Sequence, residues 1–266
     1  MKQLLINSFK FYIYFNIHVA LAVVALYMAL HSNYSYRYAS FLFFSTISAY
    51  NFIRLFNFGA NRFFIKKFFV RFKYVILSGL IISTILSLYF LFHLPFPTHL
   101  LLIPFFLISF FYNLNFKYAP FLKLRNNGIV KIISVAVVWT GMIILIPAWI
   151  EKESLHIYLP VALWVFFYIW MLTLSFDQRD LYIDAKELKT IPQLYLKRLK
   201  LIYSIFTIIL LFLSYFIFPT TEIFKISAFI LFSTILCYRS NEHKSYYYTA
   251  FWIEALAILL YILKFT

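Results

Sequence analysis

Residues 175–194 read SFDQRDLYIDAKELKTIPQL. Within them lie Asp177, Asp180 and Asp184, every aspartate of a 266-residue chain that has 9 acidic side chains against 24 lysines and arginines. The three acids follow one another at i, i+3 and i+7, positions that share one helical face at about 3.6 residues per turn. An apolar stretch, residues 156–176, runs up to the first of them, and another begins near residue 198. The acids therefore mark the end of an oily helix, which predicted to continue to about Asp184 would carry three carboxylates on one stripe.

The rest of the chain is just as oily. Hydrophobic residues make up 64% of it and charged residues 12%, where a soluble domain has roughly 25% charged, and the mean hydropathy is +0.85. These values describe an integral membrane protein. Apolar stretches of about 17 to 25 residues can cross a bilayer core as helices, and nine are expected here: 9–30, 38–57, 70–92, 97–113, 128–149, 156–176, 198–218, 223–238 and 246–264. Pro104 interrupts the fourth and Lys225 enters the eighth. The runs are continuously apolar, which excludes the alternation of a transmembrane barrel. The first is too long for a signal-peptide core and lacks a small-residue cleavage site, so it reads as retained. The expected fold class is all-α, a polytopic helical bundle forming a single domain, residues 1–266.

Basic residues flanking membrane helices favour the cytoplasmic side. With the N-terminus inside, all of the 24 lysines and arginines except Arg37, Lys152, Lys225 and Lys264 fall on that face. The net charge of +15 is on this reading a topology signal, with attraction to anionic lipid second, and it is no sign of nucleic acid. Other chemistries lack their residues. The single cysteine, Cys237, sits in an apolar run and forms no disulfide within the chain. The six histidines, His18, His31, His93, His99, His156 and His243, show no HxxxH spacing, and four glycines are too few for a phosphate-cradling loop.

Three carboxylates on one stripe repel each other, by tenths of a kcal/mol per pair, so a cation belongs nearby. Two readings fit the spacing: a solvated loop end neutralised by Arg179 and Lys186, or a divalent ion, since magnesium takes oxygen ligands from carboxylates and substrate phosphates.

The stretch resembles the second aspartate-rich motif of the UbiA superfamily of intramembrane prenyltransferases. There a D-x-x-D-x-x-x-D pattern is followed by a basic residue and K-T-I/L-P; here these are Asp177, Asp180, Asp184, Lys186 and Lys189-Thr190-Ile191-Pro192. The family's nine helices, with motifs in the cytoplasmic 2/3 and 6/7 loops, match the two most basic loops of this chain. Weaker resemblance extends through AYNFIRL (49–55), LRNNGIVKII (124–133) and YYYTAFWIEA (246–255), as in a bacterial UbiA-like branch, which implies the inner membrane.

The resemblance implies a function: transfer of an isoprenyl chain from a polyprenyl diphosphate to a lipophilic aromatic or quinone-precursor acceptor, with Mg2+ as cofactor. Such chemistry needs positive charge for the departing phosphates and a chamber poor in water. It implies Asp177, Asp180 and Asp184 as magnesium ligands and, with Asn51, as catalytic residues, and it sets Arg179 and Lys189 near the diphosphate. The first motif departs from the family pattern N-x-x-x-D-x-x-x-D, because Asn51 is followed by Leu55 and Gly59 where aspartates are expected. Arg54, Arg62, Lys66 and Lys67 crowd the same loop and can neutralise phosphate without an ion, or serve topology alone. Tyr112 and Lys117 end the fourth stretch and Lys131 starts the fifth, where similar proteins present groups to the diphosphate; snorkelling to the interface accounts for Lys117 equally well. Glu254, about two turns inside the last stretch, is read either as half of an ion pair, with Lys131 or Arg54, or as a cavity residue.

The loss of both aspartates keeps two alternatives open: an inactive UbiA-like protein that binds an isoprenoid lipid, and a polytopic carrier or assembly subunit in which the acids form a cation path. The DG-x-x-A-R opening of the CDP-alcohol transferases is absent.

Overall fold

The computed structural model describes residues 2–56, 67–68, 70–113, 124, 127–152, 155–241 and 243–265. Among them the long helices fall on the apolar stretches in order, some of them broken, and no strand occurs. Six are long and apolar enough to cross a membrane, or seven if one bent pair counts as a span. Length and apolarity alone thus do not reproduce a count of nine spans. Helix α3 (Tyr36–Phe56) is long enough at 21 residues but carries Ser40, Ser45, Thr46, Ser48, Asn51 and Arg54, and the apolar helix Phe96–Tyr112 falls short of the length of the six.

The chain divides into two compact units, Met1–His99 with Glu254–Thr266, and Leu100–Ile253. In the first, α1 (Lys2–Tyr14) and α2 (Ile17–Leu30) make the bent pair, which turns by 59°. The single helix expected over 9–30 is therefore broken. Asn16 sits at the break with φ 62°, and asparagine is among the few residues that visit this left-handed conformation readily. Helix α2 packs on α3 and on the last helix, and α3 packs on α4 (Lys73–Phe92). Phe44 and Phe90 stack across the latter pair, and Ser48 and Thr84 share a 2.7 Å hydrogen bond.

Helix α5 (Phe96–Asn113) runs from the end of the first unit into the second, where α6 (Gly128–Thr140), a π-helical turn at Gly141–Leu145 and α7 (Ile146–Ile150) follow. The wider turn has a covalent cause. Pro147 has no N–H to continue the i→i−4 ladder, and Ile146 N–H bonds back to Gly141 O, five residues earlier. Gly141 is required where it stands, since a Cβ there would fall 2.0 Å from the Phe105 ring. Helix α8 (Leu155–Arg179) is the centre of this unit and packs on α6, α10 and α11. Its Trp164 and Tyr168 are fully buried, and the Trp164 indole donates to Ser214 Oγ at 2.9 Å. After α8 come a 3-10 turn at Lys186–Leu188, α9 (Ile191–Tyr195), α10 (Leu199–Ile217), α11 (Thr220–Tyr238) and a second π-helical turn at Tyr248–Ile253. Helix α12 (Ala255–Phe265) then ends the chain within the first unit. Many large apolar side chains along these helices point outward, Phe224 and Phe92 among them, which suits a lipid surround.

Candidate functional site

Helix α8 ends at Arg179 and not at Asp184, which corrects the expectation of one continuous carboxylate stripe. Asp180 N–H still bonds to Phe176 O at 3.0 Å, but Ile183 and Asp184 N–H both fold back onto Asp180 O, at 2.9 and 2.8 Å. The reason is electrostatic. A straight helix would line up three like charges, whereas the turn lets the acids divide between two cations.

The first cation is Lys131 of α6. Its Nζ donates to Asp177 Oδ1 at 2.5 Å and to Asp184 Oδ2 at 3.3 Å. Asp177 is 3% exposed, and its second oxygen, Oδ2, is buried with no hydrogen-bond partner. Local packing sets the position of Lys131. Asn127 caps α6 by accepting from Ile129 and Val130 N–H, at 3.0 and 3.2 Å. One residue on, a Cβ on Gly128 would meet the Thr190 backbone at 2.5 Å. Only glycine lets the start of α6 lie against the KTIP segment, and Lys131 follows one turn later. Beyond Thr190, Gln193 folds back to accept its N–H at 3.0 Å and donates to the Asp184 carbonyl at 3.1 Å. The KTIP turn is thereby tied to the last aspartate.

The second cation is Arg179, whose Nε and Nη2 donate to the two oxygens of Asp180 at 2.8 and 2.7 Å. This fork geometry is the strongest form of arginine–carboxylate pairing. Arg179 also donates to Thr249 Oγ1, and it lies over the rings of Phe176 and Tyr246 at 5.4 and 5.0 Å. Thr249 belongs to the second π-helical turn; such turns are rare and often occur at functional sites.

The other expected residues have the following surroundings. Lys189 is exposed, with φ 49° and ψ 51°. Tyr112, at the end of α5, is within electrostatic reach of Lys131. Gly59, Arg62, Lys66 and Lys117 lie outside the described residues. In the first unit Asn51 is fully buried, and both of its amide hydrogens are taken, by Phe15 O at 2.8 Å and Ile47 O at 2.9 Å. Its oxygen accepts from Asn16 Nδ2 at 3.1 Å, and Arg54 donates to Tyr14 O. Both residues hold the break between α1 and α2. Glu254 is in the same unit, within electrostatic reach of Tyr12, and Lys131, one partner expected for it, is bonded to Asp177 and Asp184 in the second unit.

Sequence reading missed Gly128, Thr249 and Tyr246 as parts of the arrangement. Gly128 and Thr249 stand inside segments that carried the family resemblance, LRNNGIVKII and YYYTAFWIEA, and that was the available signal.

No protein-family model matches the chain, and no curated protein does. Among solved structures, that of a UbiA homolog from Archaeoglobus fulgidus superimposes with a TM-score of 0.63, covering 95% of this chain and 94% of its own at 14% identity. The fold is UbiA-like. In this UbiA-like bundle the carboxylates sit at the end of α8 facing Lys131 and Arg179. Among the described residues no three His, Cys, Asp or Glu side chains gather as a metal-binding group. The donor set still fits magnesium, which commonly takes one or two carboxylates and completes its shell with water and substrate phosphate. A buried Asp177 oxygen without a partner is the kind of atom that such an ion satisfies.

Proposed function

We infer that this UbiA-like protein is a membrane prenyltransferase that binds an isoprenyl diphosphate at the end of α8 and passes the isoprenyl chain to a lipophilic aromatic acceptor. The observation that carries this reading is the unpartnered, buried Asp177 Oδ2 beside Lys131, at the motif resembling the family's metal-binding sequence. Asp177 and Asp184 would hold Mg2+. When bound, the ion would offset phosphate charge as a Lewis acid. Lys131 holds the two carboxylates together, and it is the cation nearest to a phosphate bound beside them. Arg179 is held in one orientation by Asp180, Thr249 and two rings, and it would contribute a preorganised group beside a bound diphosphate. The surrounding apolar helices exclude water from an allylic cation. The charge distribution supports a cytoplasmic N-terminus and a site opening to the cytoplasm of a bacterial inner membrane.

A second reading is favoured by Leu55 and Gly59 in the first motif and by the full occupation of the Asn51 amide: binding of an isoprenoid diphosphate without transfer. One experiment separates the two. Purified protein is given geranyl, farnesyl or longer diphosphates with magnesium and a panel of phenolic acceptors, and pyrophosphate release is followed alongside photo-crosslinking of a diphosphate analogue. Release with labelling supports transfer, labelling without release supports binding alone, and neither result sinks both.

A further inference from the structure

A second charged site lies behind the aspartate stretch, and the transferase reading does not use it. Between the end of α8, the start of α10 and the end of α11 opens a cleft of about 540 Å³, within the range of about 300 to 1,000 Å³ typical of small-molecule sites. Lys197, Lys200, Arg239 and Lys244 line it. All four are exposed, and none forms an ion pair with another described residue. The contrast with Lys131 and Arg179, each matched to carboxylates, is the point of departure. Among the described residues, four cations share one opening with no carboxylate lining it.

The floor of the cleft is built. Gln178 is 8% exposed, and its amide is fixed from both ends: Nε2 donates to Tyr238 O at 3.2 Å, and Oε1 accepts from Tyr203 Oη at 3.1 Å. Both contacts hold the Gln178 amide in one orientation within the lining of the cleft. The rim is amphipathic, because Leu196 is half exposed beside the lysines. The cleft also opens where three membrane-crossing helices end, the level at which headgroups lie.

We propose that this cleft binds the phosphate headgroup of an anionic phospholipid, with Lys197, Lys200, Arg239 and Lys244 around the phosphate and the Leu196 edge against the glycerol and upper acyl chain. Gln178 stands between Asp177 and Arg179, so the lipid site and the carboxylate site share one turn of α8.

General attraction of a basic face to anionic lipid would give binding that any four charges support, and the test is built on that difference. Protein purified in an uncharged detergent is titrated with dioctanoyl phosphatidylglycerol, dioctanoyl phosphatidylcholine and the deacylated headgroup glycerophosphoglycerol, with saturable binding read by calorimetry. Phosphatidylglycerol is expected to bind at least about tenfold more tightly than phosphatidylcholine, and K197Q/K200Q/R239Q/K244Q to lose at least about tenfold of that affinity, since the variant lacks the charges that attract an anionic headgroup. The matched variant K2Q/K10Q/R71Q/K73Q is expected to bind as the parent does, and K197R/K200R to retain binding. Equal affinity for the two lipids, or equal loss in the matched variant, overturns the proposal. Displacement of the lipid by glycerophosphoglycerol at equal concentration overturns the lipid assignment in favour of a soluble phosphoester. The four side chains are exposed, and an unchanged size-exclusion profile for each variant verifies that binding rather than folding is read.

Discussion

Lys131 and Asp177 share a 2.5 Å hydrogen bond between α6 and α8, and only one of the two Asp177 oxygens takes part. The pair is nearly buried, at 16% and 3% side-chain exposure. Removing one partner of such a pair leaves an uncompensated charge and costs about 3 to 5 kcal/mol. Lys131→Met should therefore lower the thermal stability of the detergent-solubilised protein strongly, and the double variant Lys131→Met with Asp177→Leu should recover part of the loss. Thermal unfolding of the three proteins checks this, and additive losses would contradict direct pairing.

The metal assignment separates Asp177 from Asp180. Asp177→Asn keeps the shape of the side chain and removes the charge that an ion needs, so magnesium-dependent labelling by a diphosphate analogue should disappear, as it should on adding a chelator to the parent protein. Asp180→Asn leaves Arg179 without its carboxylate, and its first effect should be on stability. Labelling of Asp177→Asn that still rises with magnesium would remove Asp177 from the metal site.

Gly128 should tolerate no side chain. A Cβ placed 2.5 Å from Thr190 Cα meets backbone, which cannot swing aside. Overpacking of this kind typically costs about 1 to 3 kcal/mol. Gly128→Ala should also shift Lys131 from Asp177 and weaken diphosphate labelling, whereas Gly79→Ala, whose Cβ would meet the Phe15 side chain, should leave labelling of the folded fraction unchanged. Comparable labelling losses in the two would show that the Gly128 contact has no special tie to the site.

Thr249→Val keeps volume and deletes the hydroxyl that accepts from Arg179. Hydrogen bonds to charged groups contribute about 1.5 to 3 kcal/mol. A melting temperature indistinguishable from that of the parent protein would mean that this contact is not formed in the membrane protein as isolated.

Which parts of this architecture could be read in advance follows from the range of the forces involved. Apolar runs and flanking charges are local, so the helical segments and the acidic turn at Asp177 to Asp184 stood out from composition and spacing. Lys131 was singled out by its place at the start of a helix, and it does reach the aspartates. The end of α8 at Arg179 was not legible, because it depends on the pairing of Arg179 with its own neighbour Asp180 and with Thr249, 70 residues away. The partners of Asn51 were illegible for the same reason. A motif position names a residue type, but the partners of its amide, Phe15 and Asn16, are set by how α3 packs against a break in the preceding helix pair.

That break has a consequence for how the protein is made. The bond to the Phe15 carbonyl comes from Asn51, 36 residues further along, and in hydrocarbon an unsatisfied backbone group costs several kcal/mol. The bend between α1 and α2 therefore depends on a residue translated 36 positions after it, and the first two segments take their final shape only once the third has packed against them.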